Sequence, residues 1–387
     1  MALGARPDGV RRHNRSTLLR RLHTLGAGSR TELAAELGLN RSTIKALVDG
    51  LAAAGLVTER AVAPNGTAGR PSLLVSPRPE SLCVLAVDVA VERITVALVG
   101  FGGRILVGRH RPVQRGDTEP TVVIERVAAV AEALSLGGLR PAEVAVSVPG
   151  IVRRADGLVH EAPNLRWTEV PLGTLLGEAL DLPVAVGNDA DLGALAEHRR
   201  GAARGVGDVV YLSADIGVGG GVITGGLPLR GSTGHVGEVG HMVLRPGGRL
   251  CYCGCRGCWE TEVGEQALSR ALGLPADASR RRLVAELRTI AEKQDTMHGR
   301  LDEYAGWLGV GVVNLVNLLA PELVVLGGLL AALPPDLLAG VEARARDRSL
   351  VGRAAARSVR IRPAELGGQA SLLGAAELAF ERVIAAS

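Results

Sequence analysis

The sequence predicts an α/β protein in two parts, a small winged helix-turn-helix at the N-terminus and a large α/β body behind it. Three observations predict it. The first 80 residues show three successive helical apolar periods closed by two short strands; from residue 82 onward long apolar strands alternate with helices; and the charge is divided unevenly between the two parts. At 387 residues and 47% hydrophobic content the chain is too long for one small core. Aromatic residues make up only 2%, so aliphatic side chains must fill the interior. The 52 glycines follow no collagen period and serve turns and close backbone approaches.

The net charge of +4 hides the division: residues 1–80 hold 12 Lys+Arg against 6 Asp+Glu, and the rest holds 32 against 34. A basic module of net +6 on a body of net −2 implies a polyanionic partner for the N-terminus. Residues 1–10 are expected as a flexible arm. A first helix over 11–25 carries Leu18, Leu19, Leu22 and Leu25 at helical spacing. Ser29 with Glu32 three positions on has the form of a capping box and opens a short helix through Leu33, Ala34 and Leu37 that stops near Gly38. Asn40 caps a third helix, 41–54, which turns Ile44, Leu47, Val48 and Leu51 to the core and leaves Arg41, Ser42, Thr43 and Lys45 crowded into its start. Two helices joined by a tight turn, with donors at the start of the second, form a helix-turn-helix pattern whose donors meet base edges in the major groove. Strands at 56–59 and 73–75 flank Pro64-Asn65-Gly66 and complete the winged order. In the wing, Gly69-Arg70-Pro71 presents Arg70 for insertion into a narrow minor groove. The DNA-binding domain is therefore placed at 11–76, a linker at 77–81 and the body at 82–387.

The body opens with strands at 82–89 and 94–99, the turn Gly102-Gly103 and a strand at 105–107, then a helix at 122–136 and a buried strand at 144–148 ending at Pro149-Gly150. A second set follows at 184–186, 209–213, 221–224 and 323–326, where open α/β sheets place ligands at the carboxyl ends of strands. The uncharged run 304–320 is interrupted by Gly306, Gly309, Gly311, Asn314 and Asn317 and is read as a buried helix, not a membrane span. Arginines interrupt the first 24 residues where a secretory signal would need an apolar run, so a cytoplasmic location is expected.

In a reducing compartment, four cysteines crowded between Cys251 and Cys258 argue for a metal. With His241 they offer five borderline or soft ligands, and the expected set is His241, Cys251, Cys253 and Cys258 around a closed tetrahedral zinc, leaving Cys255 as a spare thiol. Glu238 and Glu260 flank this loop, and Asn188-Asp189 follows a strand directly. Carboxylates and an amide converging on one cleft suit the recognition of several sugar hydroxyls.

These residues resemble the ROK family, which contains sugar kinases and sugar-responsive repressors. The resemblance is carried by Val148-Pro149-Gly150, Ala162-Pro163-Asn164-Leu165, Gly187-Asn188-Asp189-Ala190, Gly237-Glu238-Val239-Gly240-His241 through Cys251-Tyr252-Cys253-Gly254 to Gly257-Cys258-Trp259-Glu260, and Val325-Leu326-Gly327-Gly328. Arg12-His13-Asn14 and Gly69-Arg70-Pro71 look like the repressor branch. The resemblance implies a two-lobed, actin-like or sugar-kinase-like (ribonuclease-H-like) body, with lobe one about 82–187 plus a C-terminal helix at about 371–385 and lobe two about 188–370. It implies zinc at the four ligands named, and sugar contacts at Gly150, Asn164, Asn188, Asp189, Glu238, His241 and Glu260. In the kinases the position of Asp189 is the base that activates the sugar hydroxyl.

The kinases resemble D-x-G-G-T at their first phosphate loop, whereas this chain has Asp88-Val89-Ala90-Val91-Glu92, with side chains in place of both glycines and a negative charge beside the phosphates. At the second loop Gly217, Gly219, Gly220 and Gly221 persist, but Asp215-Ile216 stands where Gly-Thr is expected. The expected protein is a DNA-binding regulator, a repressor of carbohydrate-utilisation genes without kinase activity. Its expected partners are operator DNA, a sugar or sugar-phosphate effector and further copies of itself in a homodimer or homotetramer, with no membrane. Two alternatives stay open at this point: an active ATP-dependent sugar kinase that also carries a DNA-binding domain, and a regulator controlled by a protein partner.

Overall fold

The computed structural model describes residues 7–61, 73–134, 136–231, 236–293, 298–354 and 359–387. Its first helix, α1 (Pro7–Leu25), begins inside the expected arm, because proline's fixed φ and missing N–H suit a first helical turn. Strand β1 (Gly28–Ser29) precedes α2 (Arg30–Leu37), and α3 (Arg41–Ala53) follows. The capping box is formed: Glu32 N–H donates to Ser29 Oγ at 3.2 Å, and Ser29 N–H donates to Glu32 Oε2 at 2.8 Å. Gly38 closes α2 at φ 63°, and Asn40 Oδ1 accepts from Thr43 N–H at 2.8 Å to start α3. Strands β2 (Val57–Ala61) and β3 (Leu73–Pro77) pair antiparallel, with β1 on the other edge of β3. A two-residue strand has no periodicity to read, so β1 is found only in the fold. Pro64-Asn65-Gly66 and Gly69-Arg70-Pro71 lie outside the described residues.

Leu18, Leu19, Leu22, Leu33, Ile44 and Val48 are fully buried, and their cluster continues without a break into Phe101 and Phe380 of the body. The stretch 77–81 is the last residue of β3 and a single 3-10 turn, Pro79–Ser81, whose Pro79 carbonyl accepts from Phe101 N–H at 3.0 Å.

The first lobe holds β4 (Cys83–Ala90), β5 (Arg93–Gly100), β6 (Arg104–Pro112), α4 (Pro120–Glu132), β7 (Pro141–Val148), a three-stranded ribbon of β8 (Ile151–Arg153), β9 (Leu158–Ala162) and β10 (Trp167–Val170), α5 (Leu172–Leu180) and β11 (Val184–Asn188). Its main sheet runs in the order β11-β7-β4-β5-β6, antiparallel through β4, β5 and β6 and parallel through β4, β7 and β11. Helix α6 (Asp189–Arg200) leads to the second lobe, made of β12 (Val209–Ala214), β13 (Val218–Thr224), β14 (Leu227–Pro228), α7 (Glu260–Val263), α8 (Glu265–Leu272), α9 (Arg280–Lys293), α10 (His298–Leu319), β15 (Leu323–Gly328), α11 (Pro335–Arg348), α12 (Leu350–Ala354) and β16 (Arg360–Pro363). Its sheet repeats the plan in the order β14-β13-β12-β15-β16.

The final helix, α13 (Ala370–Ala386), returns to pack on β4, β7 and α6. The approach to α6 is so close that a Cβ on Gly374 would stand 1.9 Å from the Leu192 carbonyl. The run 304–320 lies almost wholly in α10, where Gly311 meets the Trp259 ring. Among the described residues no helix is long and apolar enough to cross a membrane.

Candidate functional site: a polar cleft beside a thiol-imidazole cluster

The carboxyl ends of the strands in both sheets open on one cavity of about 300 Å³. Gly150, Asn164, Asn188, Asp189, Glu238, His241 and Glu260 all line it. Gly150, just past β7, sits at φ 132°, and a Cβ there would lie 2.5 Å from the Glu161 carbonyl, so only glycine fits. Asn188 ends β11 and caps α6: its Oδ1 accepts from Ala190 and Asp191 N–H at 2.9 and 3.1 Å, and its Nδ2 donates to the Gly150 carbonyl at 3.0 Å. Most of its hydrogen-bonding capacity is thus spent shaping the cleft. Gly217 brings backbone against Asn164 and Glu260, since a Cβ there would be 3.1 Å from a polar atom of each.

Asp189, first residue of α6, faces the cavity with its carboxyl pushed up to about 6, first by burial and then by the neighbouring Asp88 carboxylate. Above pH 6 it is an ionised, acceptor-only group, and hydrogen bonds from hydroxyls to a carboxylate are the stronger kind. The affinity of this cleft for a polyhydroxyl ligand should therefore rise as pH passes upward through about 6, with Asp189→Asn flattening that step. Calorimetric titrations from pH 5 to 8 check it, and an unchanged step in the variant would assign the titration to another group.

Beside the cleft, one ligand atom from each of His241, Cys251, Cys253 and Cys258 lies within 4.8 Å of the other three. His241 Nδ1 is 3.6 Å from Cys251 Sγ, and Cys253 Sγ is 3.6 Å from Cys258 Sγ. A tetrahedral site with metal–sulfur bonds of about 2.3 Å has edges of roughly 3.7 Å, so the donor set suits such an ion. Gly254 and Gly257 adopt left-handed φ of 85° and 80°, and Gly257 tucks its backbone under the Arg245 carbonyl. Cys255 is exposed and outside the cluster. His241 faces two ways, its Nε2 lying 3.9 Å from Glu238 Oε2 in the cleft, and Cys251 Sγ lies 2.8 Å from Glu260 Oε1. The four-residue cluster is joined to the cleft through these two contacts.

At the opposite end of the cavity, Val91 and Glu92 connect β4 to β5 with no left-handed residue. Glu92 is not a free charge, as the sequence suggested: Arg115 holds it at 2.5 Å and reaches across the lobes to both oxygens of the buried Glu265 at 2.9 Å. Asp215 pairs with Arg280, and Arg93 lies 3.6 Å from the buried Asp88. Pattern reading missed Arg115, Glu265 and Arg280, because ion pairs between distant segments leave no local signal.

On the small domain, Arg41, Ser42 and Lys45 are exposed at the start of α3, with Thr43 half-buried beside them. Ser42 Oγ donates to Asn40 Oδ1 at 2.8 Å, and Lys45 pairs with Asp49 at 2.7 Å. Arg30 fastens the domain from below by binding Glu59 at 2.5 Å and Asp49 at 2.7 Å.

A winged helix-turn-helix fused to a two-lobed, sugar-kinase-like body, with a polar cleft beside a Cys/His cluster, defines a class that joins a DNA-binding fold to a small-molecule-binding fold. The sequence model of the ROK family matches residues 84–382. The chain belongs to the ROK family. It is 27% identical over 379 residues to the xylose repressor of Bacillus spizizenii, covering 97% of each chain, and 31% identical to the glucokinase of Streptomyces coelicolor over 77% of this chain and 97% of the kinase. Among solved structures, a ROK-family transcriptional regulator homologous to the E. coli MLC protein superposes with a TM-score of 0.77 at 24% identity, covering 97% of both chains. That match extends the fold across the small domain, which the glucokinase alignment leaves uncovered.

Proposed function

We propose that the chain is a DNA-binding repressor of sugar-utilisation genes whose ROK body binds a sugar effector and one structural zinc. The observation that carries the reading is the union of a winged helix with a cleft into which seven polar or close-packing residues converge. Resemblance along its full length to a xylose repressor makes D-xylose the first effector to try. Gly150, Asn164, Asn188, Asp189, Glu238, His241 and Glu260 form the sugar site, and His241, Cys251, Cys253 and Cys258 hold the zinc. When bound, the ion draws the loop from Glu238 to Glu260 together as a closed tetrahedral site. Arg41, Ser42, Thr43 and Lys45 read the major groove and Arg70 the minor groove. The active form is a homo-oligomer, since helix-turn-helix proteins read two half-sites related by two-fold symmetry. A cytoplasmic location fits both a DNA partner and thiols kept reduced.

Kinase activity is absent in this reading. Phosphoryl transfer depends on placing and neutralising the phosphates, and the phosphate end of the cleft is occupied by side chains and ion pairs. The identity with glucokinases and the retained Asp189 favour a second reading as an active kinase.

The test is a titration of a duplex enriched by this protein from a random-sequence pool, with and without D-xylose or D-glucose. A coupling of about 5- to 150-fold in operator affinity is expected, and reciprocally in sugar affinity. A sugar that binds with no change in operator affinity would leave the cleft passive and favour control by a protein partner.

A further inference from the structure

Helix α6 begins in the cleft and ends at the DNA-binding domain. Asp189 is its first residue, capped by Asn188, and Arg199 and Arg200 are its last two; at 12 residues it spans about 18 Å. Helix α13 runs beside it from Ser371, which also lines the cleft, and the two backbones touch at Gly374 and Leu192. At the far end of α6, beside the middle of α13, sits His23 from α1, 1% exposed. Gly102 N–H donates to its Nδ1 at 3.1 Å, and its Nε2 lies 3.1 Å from Glu377 Oε1 on α13. Its ring packs against Phe101 and Phe380, with centroids 5.7 and 4.1 Å away.

Arg200 ties these pieces together. Its guanidinium binds Glu377 at 2.5 Å, the Gly102 carbonyl at 2.8 Å and the His23 carbonyl at 3.3 Å, and lies 2.8 Å from His23 Nε2. Arg199 binds the same Glu377 at 3.0 Å. Burial alone would raise the Glu377 carboxyl, yet the contacts with His23, Arg200 and Arg199 hold it well below the usual carboxylate range. Gly103, at φ 78°, lies flat on the guanidinium, and a Cβ there would stand 2.1 Å from Arg200 Cζ.

Neither the metal cluster nor the cleft uses this node. A fully buried carboxylate on α13, held by two arginines of α6 and by the first helix of the DNA-binding domain, fixes how that domain sits on the body. Close-packed helices shift as units, since packed interiors do not compress. A ligand that contacts Asn188 and Asp189 acts on the first turn of α6, and displacement of α6 moves Arg200.

We infer that α6, backed by α13, is the connecting element between effector and operator, and that Arg200 and His23 are the positioning residues that set the DNA-binding domain according to what occupies the cleft. This rests on the reading of the chain as a sugar-responsive repressor.

Arg200→Lys keeps a cation beside Glu377 but loses the fork to Gly102 and His23, and Gly103→Ala displaces the guanidinium from the other side. In full-length protein, both variants should bind D-xylose or D-glucose with wild-type affinity at the cleft, while the ratio of operator affinities with and without sugar falls from the roughly 5- to 150-fold typical of allosteric coupling to within about twofold of unity. A merely structural role would lower the melting temperature and leave that ratio alone. In wild-type protein, saturating sugar should also change amide exchange in residues 18–25 and 100–104. A wild type whose operator affinity ignores both sugars overturns the sugar-responsive reading and the inference with it. A wild type that couples, with variants that couple equally or with exchange in those two segments unchanged, overturns the inference alone.

Discussion

On the proposed reading of the Cys/His cluster as a zinc site, replacing Cys258 with serine should abolish zinc binding and, with it, the shape of the neighbouring cleft. Cys258 is fully buried, and its neighbour Trp259 is anchored in the core of the second lobe, the indole N–H donating to the Trp307 carbonyl at 2.9 Å. On the other side of the cluster, His241 sits at the end of a short turn that also carries Glu238. The loop between them contains no regular secondary structure beyond isolated bridges, Val243 with Cys258 and Leu250 with Arg256. Backbone hydrogen bonds close the loop at its base, Trp259 N–H donating to the Met242 carbonyl at 2.8 Å and Leu244 N–H to the Gly257 carbonyl at 3.0 Å, so an ion would chiefly fix the spacing of Cys251 and Cys253 from His241. Structural zinc contributes roughly 10–16 kcal/mol of apparent binding energy in isolated zinc-finger peptides. Here the hydrophobic core retains much of the fold, so the expected loss is a part of that, seen as a fall in melting temperature on the order of 10 °C. On the proposed reading, affinity for whichever sugar the cleft takes should weaken at least about tenfold, because residues at metal sites orient their neighbours as well as the ion. Cys255→Ser, at the exposed thiol, should keep one zinc per chain and the wild-type melting temperature. Elemental analysis and thermal melts of both variants decide it: full zinc content and unchanged melting in Cys258→Ser would remove the ion from this cluster.

Much of the fold was legible because its signals are local. Ser29 and Glu32 announce a capping box by spacing alone, and the structure forms both of its hydrogen bonds. The strands at 82–89 and 323–326 are apolar runs, and they are central strands buried on both faces. The four-residue Cys/His cluster was readable because its ligand types are rare and closely spaced, and the structure gathers the same four atoms. What was not legible depends on partners far apart in the chain. Arg115 and Glu265 are 150 residues apart and His23 and Glu377 are 354 apart, and each of these side chains alone looks like an ordinary polar residue. The two-residue β1 and the short strands β8 and β10 are too brief for a period, and they exist because tertiary neighbours supply their hydrogen bonds. Glu92 shows how charge read from sequence can mislead: seen alone it repels a phosphate, but in the fold it is neutralised by Arg115, which itself clasps Glu265 of the other lobe.

With ATP, magnesium and a wide panel of sugars, purified protein should show no phosphorylation above background. A working kinase of this chemistry turns over at about 1–100 per second, and the expected rate is at least roughly four orders of magnitude lower. The Asp189 side of the cleft is not the ground for this expectation. Asp189 stands at the cavity with its carboxyl raised to about 6, a value suited to accepting a proton near neutral pH. The expectation rests on the β4–β5 end of the cleft, where the resemblance to the kinases puts the triphosphate. Ala90 and Val91 put side chains into that end, and the β4–β5 turn there has no left-handed residue through which backbone amides could curl around a phosphate. Arg115, which could neutralise phosphate charge, is already bound to Glu92 and Glu265, and Arg280 to Asp215. A nucleotide would have to break those pairs while meeting the carboxylates they release, and in a partly buried cleft that repulsion is weakly screened. Restoring glycines alone, as Ala90→Gly with Val91→Gly, should leave turnover undetectable, because the ion pairs remain. A coupled assay settles the matter. Robust turnover by the wild type that disappears in Asp189→Asn, with sugar still bound by the variant, would establish the chain as a kinase and make its DNA-binding domain an addition to an enzyme.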